Sequence, residues 1–374
     1  MENSSMPVIT IADFSEIIKR QLSEENYRPI MALGRGGIGK SESMEELAHN
    51  LGIGYIDIRL LLYSETDLKG IPYPDENHRY TIWLQNKILP MADRDGDKGI
   101  LVLDEITSCN KSLRTAAYQL LNERKLGEYT LPDKWLVVCL GNGEEDGGDF
   151  EGMEGNFANR CSLYRVMAET EAWKDWAVAH GVNPLVIGYI NFNQADLHTF
   201  DPDNDDNVLF ASPRSWKAVS DILNSDGNTM SDRLTYLRVI GNVGMQVGSR
   251  FKAFCTYKDK AIDTMDILEN GVEYIPENTE IANITISSVV HAIQSDIERD
   301  VNAHVQTYSD DTMKHVANAL NWFCKLKAEW AIMAIKDFRR WNTEIVTQLL
   351  LNKNTQNMAP EFSAFIHKNS AIFK

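Results

Sequence analysis

Eight consecutive residues carry the densest chemistry in the chain: Gly34, Arg35, Gly36, Gly37, Ile38, Gly39, Lys40 and Ser41. A glycine-rich turn lets backbone N–H groups curl around phosphate oxygens. A helix that starts just after the turn points its positive dipole end at the same anion. In the pattern G-x-x-x-x-G-K-[ST], the lysine reaches the β- and γ-phosphates and the hydroxyl ligates Mg²⁺. A strand-to-helix turn with no ligand would also use glycines. The context favours phosphate, because residues 29–33 (PIMAL) form an apolar run before the loop. Met44, Leu47 and Leu51 follow it at helical spacing.

Residues 100–105 (ILVLDE) give the second constellation. A buried strand ending in two carboxylates is costly unless they act on something. Asp104 suits the Mg²⁺ shell and Glu105 suits a general base that polarises the attacking water. The competing reading makes both acids helix caps, with Asp104 near an N-cap position. With the phosphate pattern upstream, the chemical reading prevails.

Three more residues are weaker on local grounds. Asn142 ends the apolar run 135–140, where it could orient water or touch the γ-phosphate. Asn-Gly is equally a turn dipeptide. Arg160 follows Asn156-Phe-Ala-Asn and could stabilise transition-state charge in a neighbouring subunit. It could also be a surface partner of the acids before it: Glu144, Glu145, Asp146, Asp149, Glu151 and Glu154. Arg214 lies in Ser212-Pro-Arg-Ser-Trp216, where Pro213 suits a helix start. From there it could reach a phosphate, or simply face solvent.

The elements that must hold these residues read as strands alternating with helices. Residues 8–22 suggest a short apolar stretch and an amphipathic helix, and residues 55–58 a second strand. Residues 60–98 are mixed and broken by Pro72, Pro74 and Pro90. Residues 113–122 suggest a helix and 125–131 a hairpin. Such alternation implies an α/β domain with a mostly parallel sheet. From about residue 165 the pattern turns mainly helical, with loops at 201–206 and 224–227. In residues 313–341, Val316, Leu320, Phe323, Leu326, Trp330 and Met333 repeat at helical spacing, and Trp341 follows. That stripe reads as a packed helix face rather than a partner-docking surface.

Composition narrows the classes. The 374 residues carry 37 Lys+Arg against 54 Asp+Glu, net −17, which argues against gripping a phosphate backbone. The N-terminus has no basic region leading into an apolar run, so no signal peptide is expected. No run is long enough for a membrane span. The cysteines (109, 139, 161, 255 and 324) are odd in number, scattered and without CxxC, which fits a reducing, cytoplasmic setting. HExxH and GxSxG signatures are absent, so metal-centred and elbow-type serine hydrolysis have no local support.

In this order, the five pieces resemble an AAA+ ATPase, and more narrowly the MoxR-like ATPases of bacteria and phages. Non-catalytic stretches share the resemblance. They include Asp57-Ile-Arg-Leu60 with Asp67-Leu-Lys-Gly-Ile-Pro72, and Ala117-Tyr-Gln-Leu-Leu-Asn-Glu-Arg124 with Leu126-Gly-Glu-Tyr-Thr-Leu-Pro132. Trp173-Lys-Asp-Trp176 and Ser212-Pro-Arg-Ser-Trp216 are similar to the start of its lid. The resemblance implies a P-loop NTPase AAA+ core with a parallel sheet over 1–165, a helical lid over 166–255 and a mainly helical extension over 256–374. It assigns Walker A to Gly34–Ser41 and Walker B to Asp104 and Glu105. Asn142 becomes sensor 1, Arg160 the arginine finger and Arg214 sensor 2.

It further implies ATP and Mg²⁺ as ligands and a homo-oligomeric ring, usually a hexamer, with ATP between protomers. A partner carrying a von Willebrand factor A-like domain and a chaperone-like remodelling role complete the expectation. One departure is the acidic, glycine-rich loop from Gly143 to Gly148. Two other readings share the same core. A nucleic-acid translocase is disfavoured by the net charge. A non-hydrolysing scaffold is disfavoured by Glu105 and Arg160.

Overall fold

The computed structural model describes residues 6–24, 28–143, 146, 160–201, 208–227, 229–303, 308–341, 343–351 and 357–369. In chain order the first part gives β1 (Val8–Thr10), α1 (Ile11–Gln21), β2 (Ile30–Leu33), α2 (Lys40–Leu51) and β3 (Gly54–Arg59). Next come α3 (Glu65–Lys69), β4 (Ile71–Pro74), β5 (Thr81–Leu84), α4 (Ala92–Asp95), β6 (Lys98–Asp104) and α5 (Lys111–Glu123). The hairpin strands β7 (Lys125–Leu126) and β8 (Tyr129–Thr130) lead to β9 (Lys134–Gly141) and β10 (Ser162–Met167).

The apolar runs become a six-stranded sheet in the order β1-β10-β2-β9-β6-β3, every pairing parallel. Period-2 alternation splits their side chains between two faces. Ile30, Ala32, Ile100, Val102, Leu136, Val138 and Leu140 pack with Phe14 and Ile18 of α1 and Met44 of α2. Met31, Leu33, Leu101, Leu103, Val137 and Cys139 pack with Leu113, Ala117 and Leu120 of α5. Helices on both faces explain why these strands are apolar throughout. The chain leaves β2, passes to β3 at the sheet edge, and returns to fill the gap with β6 and β9. The carboxyl ends of β2, β6 and β9 therefore converge, the place where open α/β sheets bind ligands. This is an α/β core with a parallel sheet, followed in sequence by a helical region.

Contacts divide the chain into two compact units. One comprises Met1–Ala172, Phe200–Asn207 and Ser212–Arg214; the other comprises Trp173–Thr199, Val208–Ala211 and Ser215–Lys374. The second is helical, and one apolar cluster runs through it from Trp173 to Phe362, with Tyr189, Trp216, Phe251, Phe323 and Phe338 inside. Residues on both sides of position 255 share that cluster. Val316, Leu320, Phe323, Leu326 and Trp330 are buried in it and Met333 packs against it, so the stripe is core. The stripe spans two helices, Asp310–Lys325 and Ala328–Trp341. A buried ion pair, Lys174 Nζ to Asp337 Oδ2 at 2.9 Å, ties the unit internally. Among the described residues no helix is long and apolar enough to cross a membrane.

Candidate nucleotide site

The loop after β2 is shaped by what cannot fit there. A Cβ on Gly34 would lie 2.2 Å from the Val166 carbonyl oxygen. Gly37 has φ +76°, and a Cβ there would meet the Ser212 Oγ at 2.8 Å. Both positions demand glycine, one by close approach and one by left-handed backbone. Gly39, also left-handed, is the N-cap of α2, which starts at Lys40.

Lys40 is buried. Its Nζ donates to the carbonyls of Gly34 at 2.6 Å and Arg35 at 2.8 Å. Burial lowers its pKa to about 8, against the opposing pull of Asp104, Asp146 and Glu105. The next residue, Ser41, donates its Oγ to Asp104 Oδ2 at 2.7 Å. The sheet thus joins the two sequence motifs at hydrogen-bond distance.

Asp104 caps no helix. Its Oδ1 accepts the Glu105 backbone N–H at 2.8 Å, and the following helix α5 is capped by Asn110 instead. Glu105 has φ +60°, one of three described non-glycine residues with positive φ. Such backbone strain gathers at functional sites, where the surrounding structure holds it in place. Asn142 follows β9, and its N–H donates to Thr107 Oγ1 at 3.1 Å. The Ile106 N–H bonds Leu140 O at 3.0 Å, which fixes the 105–107 turn against β9.

Arg214 reaches the same region. Its backbone N–H donates to Gly37 O at 3.1 Å, and its Nε donates to Glu42 Oε1 at 3.2 Å, with Nη2 on the same oxygen. Arg35 turns away from the loop, toward Asp146 Oδ1 at 3.4 Å and Phe200 O at 3.3 Å. Of the acidic run, Asp146 alone is described. Its carboxylate also meets Arg165 at 3.5 Å. The rest of that run, and Asn156-Phe-Ala-Asn159, lie outside the described residues. Arg160 is exposed, just before β10. Ser162 pairs with Ile30, so Arg160 sits at the amino edge of the sheet. That is a strand length from Gly34, about 13 Å at about 3.3 Å per residue. The fold therefore gathers Gly34–Ser41, Asp104, Glu105, Asn142 and Arg214, and leaves Arg160 on the opposite edge.

Sequence reasoning overlooked three neighbours. Tyr55 donates its hydroxyl to Ser41 O at 3.2 Å. Asp57, two residues on and on the same face, has a solvent-shielded Oδ1 with no hydrogen-bond partner. Burial, and then Asp104, push its pKa up to about 6. A carboxylate inside the apolar run 55–58 was the available signal, the same one that marked Asp104. Glu42 left none, since an acid after Ser41 is ordinary for a helix first turn.

The donor set suits magnesium. A hydroxyl and a carboxylate in contact are hard oxygens, and Mg²⁺ takes one or two protein ligands and completes its shell with phosphates and water. No cluster of three or more His, Cys, Asp or Glu residues suited to a metal occurs among the described residues.

No family model matches the chain, and no curated protein matches it either. Among solved structures it is similar to the crystal structure of a candidate ATPase from Cytophaga hutchinsonii. The two are 13% identical over 88% of this chain and 82% of that one, with a TM-score of 0.33.

Proposed function

We propose that the chain is an Mg²⁺-dependent ATPase of AAA+ type, working as a ring. The observation that carries this reading is the 2.7 Å contact between Ser41 Oγ and Asp104 Oδ2, directly beside the buried Lys40. The loop N–H groups and Lys40 bind the phosphates. Ser41 and Asp104 would hold Mg²⁺, which when bound would neutralise phosphate charge. Glu105 orients the attacking water and takes its proton. Asn142 lies beside it, anchored through Thr107, and contacts that water or the γ-phosphate. Arg214 approaches the phosphates from the Gly37 side. Arg160, on the far edge of its own sheet, serves the site of the next protomer. Positioning and charge stabilisation supply the rate, with no covalent intermediate. The MoxR-type role, remodelling a protein partner such as one with a von Willebrand factor A-like domain, rests on the motif resemblance.

Titration calorimetry with Mg²⁺-ATP tests the binding half. Wild type and Glu105→Gln should bind alike, and Lys40→Ala should bind about tenfold to a hundredfold more weakly. Equal affinity in Lys40→Ala would remove the loop from phosphate recognition.

A further inference from the structure

We propose that Glu42 is a positioning residue that holds Arg214 in reach of the terminal phosphate. The inference rests on the reading that Gly34–Ser41 bind ATP. Glu42 follows Ser41 in the first turn of α2, so its place relative to the phosphate loop is set by one helical step. Two of the five N–H donors of Arg214, one on Nε and one on Nη2, converge on one oxygen, Glu42 Oε1. That contact takes the side of the guanidinium fork. The end-on face, Nη1 with the second proton of Nη2, is not the face that Glu42 takes, and it suits a phosphate. The Arg214 backbone is tied to the same loop through Gly37 O at 3.1 Å. Arg214 is therefore fixed at both its main chain and its head group, each time by the phosphate-binding segment.

Stability does not account for the pair. Its side chains are 61% and 52% exposed, and exposed ion pairs contribute little to folding. Its effect should appear in nucleotide discrimination. ATP and ADP differ by the phosphate that Arg214 would touch.

The test measures ATP and ADP dissociation constants with Mg²⁺ in the Glu105→Gln background. The parent should prefer ATP by about tenfold. Arg214→Ala should erase that preference, and Glu42→Ala should remove most of it without shifting the thermal midpoint. The double variant should equal Arg214→Ala alone. A preference intact in Glu42→Ala but lost in Arg214→Ala overturns the positioning role. So does a sharper preference in Glu42→Ala, which would make Glu42 a competitor for Arg214. If the parent binds nucleotide without preferring ATP, Arg214 reads no terminal phosphate and the inference falls alone. If it binds no nucleotide, the ATPase reading falls with it.

Discussion

In the proposed site Lys40 would hold phosphate as a cation, yet its burial disfavours the charge. With a pKa near 8 in the folded chain, against 10.5 for an ordinary lysine, the sign is fixed. Phosphate selects the ammonium form, so ATP affinity should be flat below pH 8 and weaken above it, approaching about tenfold per pH unit. Affinity titrations in buffers from pH 6.5 to 9.5 would check this, and a constant affinity would contradict it. Folding runs the other way. Between pH 8 and 10.5 the unfolded chain binds more protons at this site, so its contribution to stability rises with pH. Asp57 has the reverse sign. Its folded pKa of about 6 exceeds the ordinary 3.8, so the folded state binds more protons in that window. Its contribution to stability is lost as pH rises from 4 to 6. Asp57→Asn should raise the thermal midpoint at pH 7 and flatten that dependence. A lower midpoint would mean that the carboxylate is paired in solution.

At the scale of elements, one cross-strand row sets the sheet. Gly54 pairs with Gly99, and Gly99 with Trp135. A Cβ on either glycine would lie within 2.7 Å of the Trp135 ring, so β3 and β6 leave the space that the indole fills. The indole N–H donates to Gly96 O at 2.9 Å. Gly99→Ala should cost about 2 kcal/mol in denaturant unfolding, since overpacking a rigid core forces backbone shifts. A change below about 0.5 kcal/mol would contradict it. Strands such as β6 and β9 were legible because both their faces are covered, and α2 because Met44 and Leu47 repeat toward that cover. β10 was not legible. Ser162, Tyr164 and Arg165 break up its apolar pattern, and most of the strand is only half-buried. The hairpin β4–β5 was hidden for a related reason. Its pairing is local, and Ile71, Tyr73 and Leu84 stay exposed, so no buried face imprints a period. Of the site, loop and carboxylates were readable from residue type. The Glu42–Arg214 and Tyr55–Ser41 contacts were not, because they depend on which segments the topology brings together.

At the scale of the molecule, the proposed function calls for more than one copy. Arg160 lies at the amino edge of the sheet and the phosphate loop at the carboxyl edge. In the proposed arrangement Arg160 therefore serves the nucleotide of a neighbouring copy. Arg160→Ala should therefore keep ATP binding, lose turnover by about a thousandfold, and poison wild-type activity when mixed in. Normal turnover would end the shared-site arrangement. Light scattering on Glu105→Gln with Mg²⁺-ATP should give a closed ring, about six subunits by the motif resemblance, and a persistent monomer would contradict it. The proposed function stands on hydrolysis at Ser41, Asp104 and Glu105. It is tested most directly by phosphate release from ATP under single-turnover conditions, for wild type with Mg²⁺, wild type with EDTA, and Glu105→Gln with Mg²⁺. Wild type with Mg²⁺ should release phosphate, the EDTA sample should release none, and Glu105→Gln should be slower by about 10²–10⁴-fold. Equal release with EDTA, or from Glu105→Gln, would contradict it.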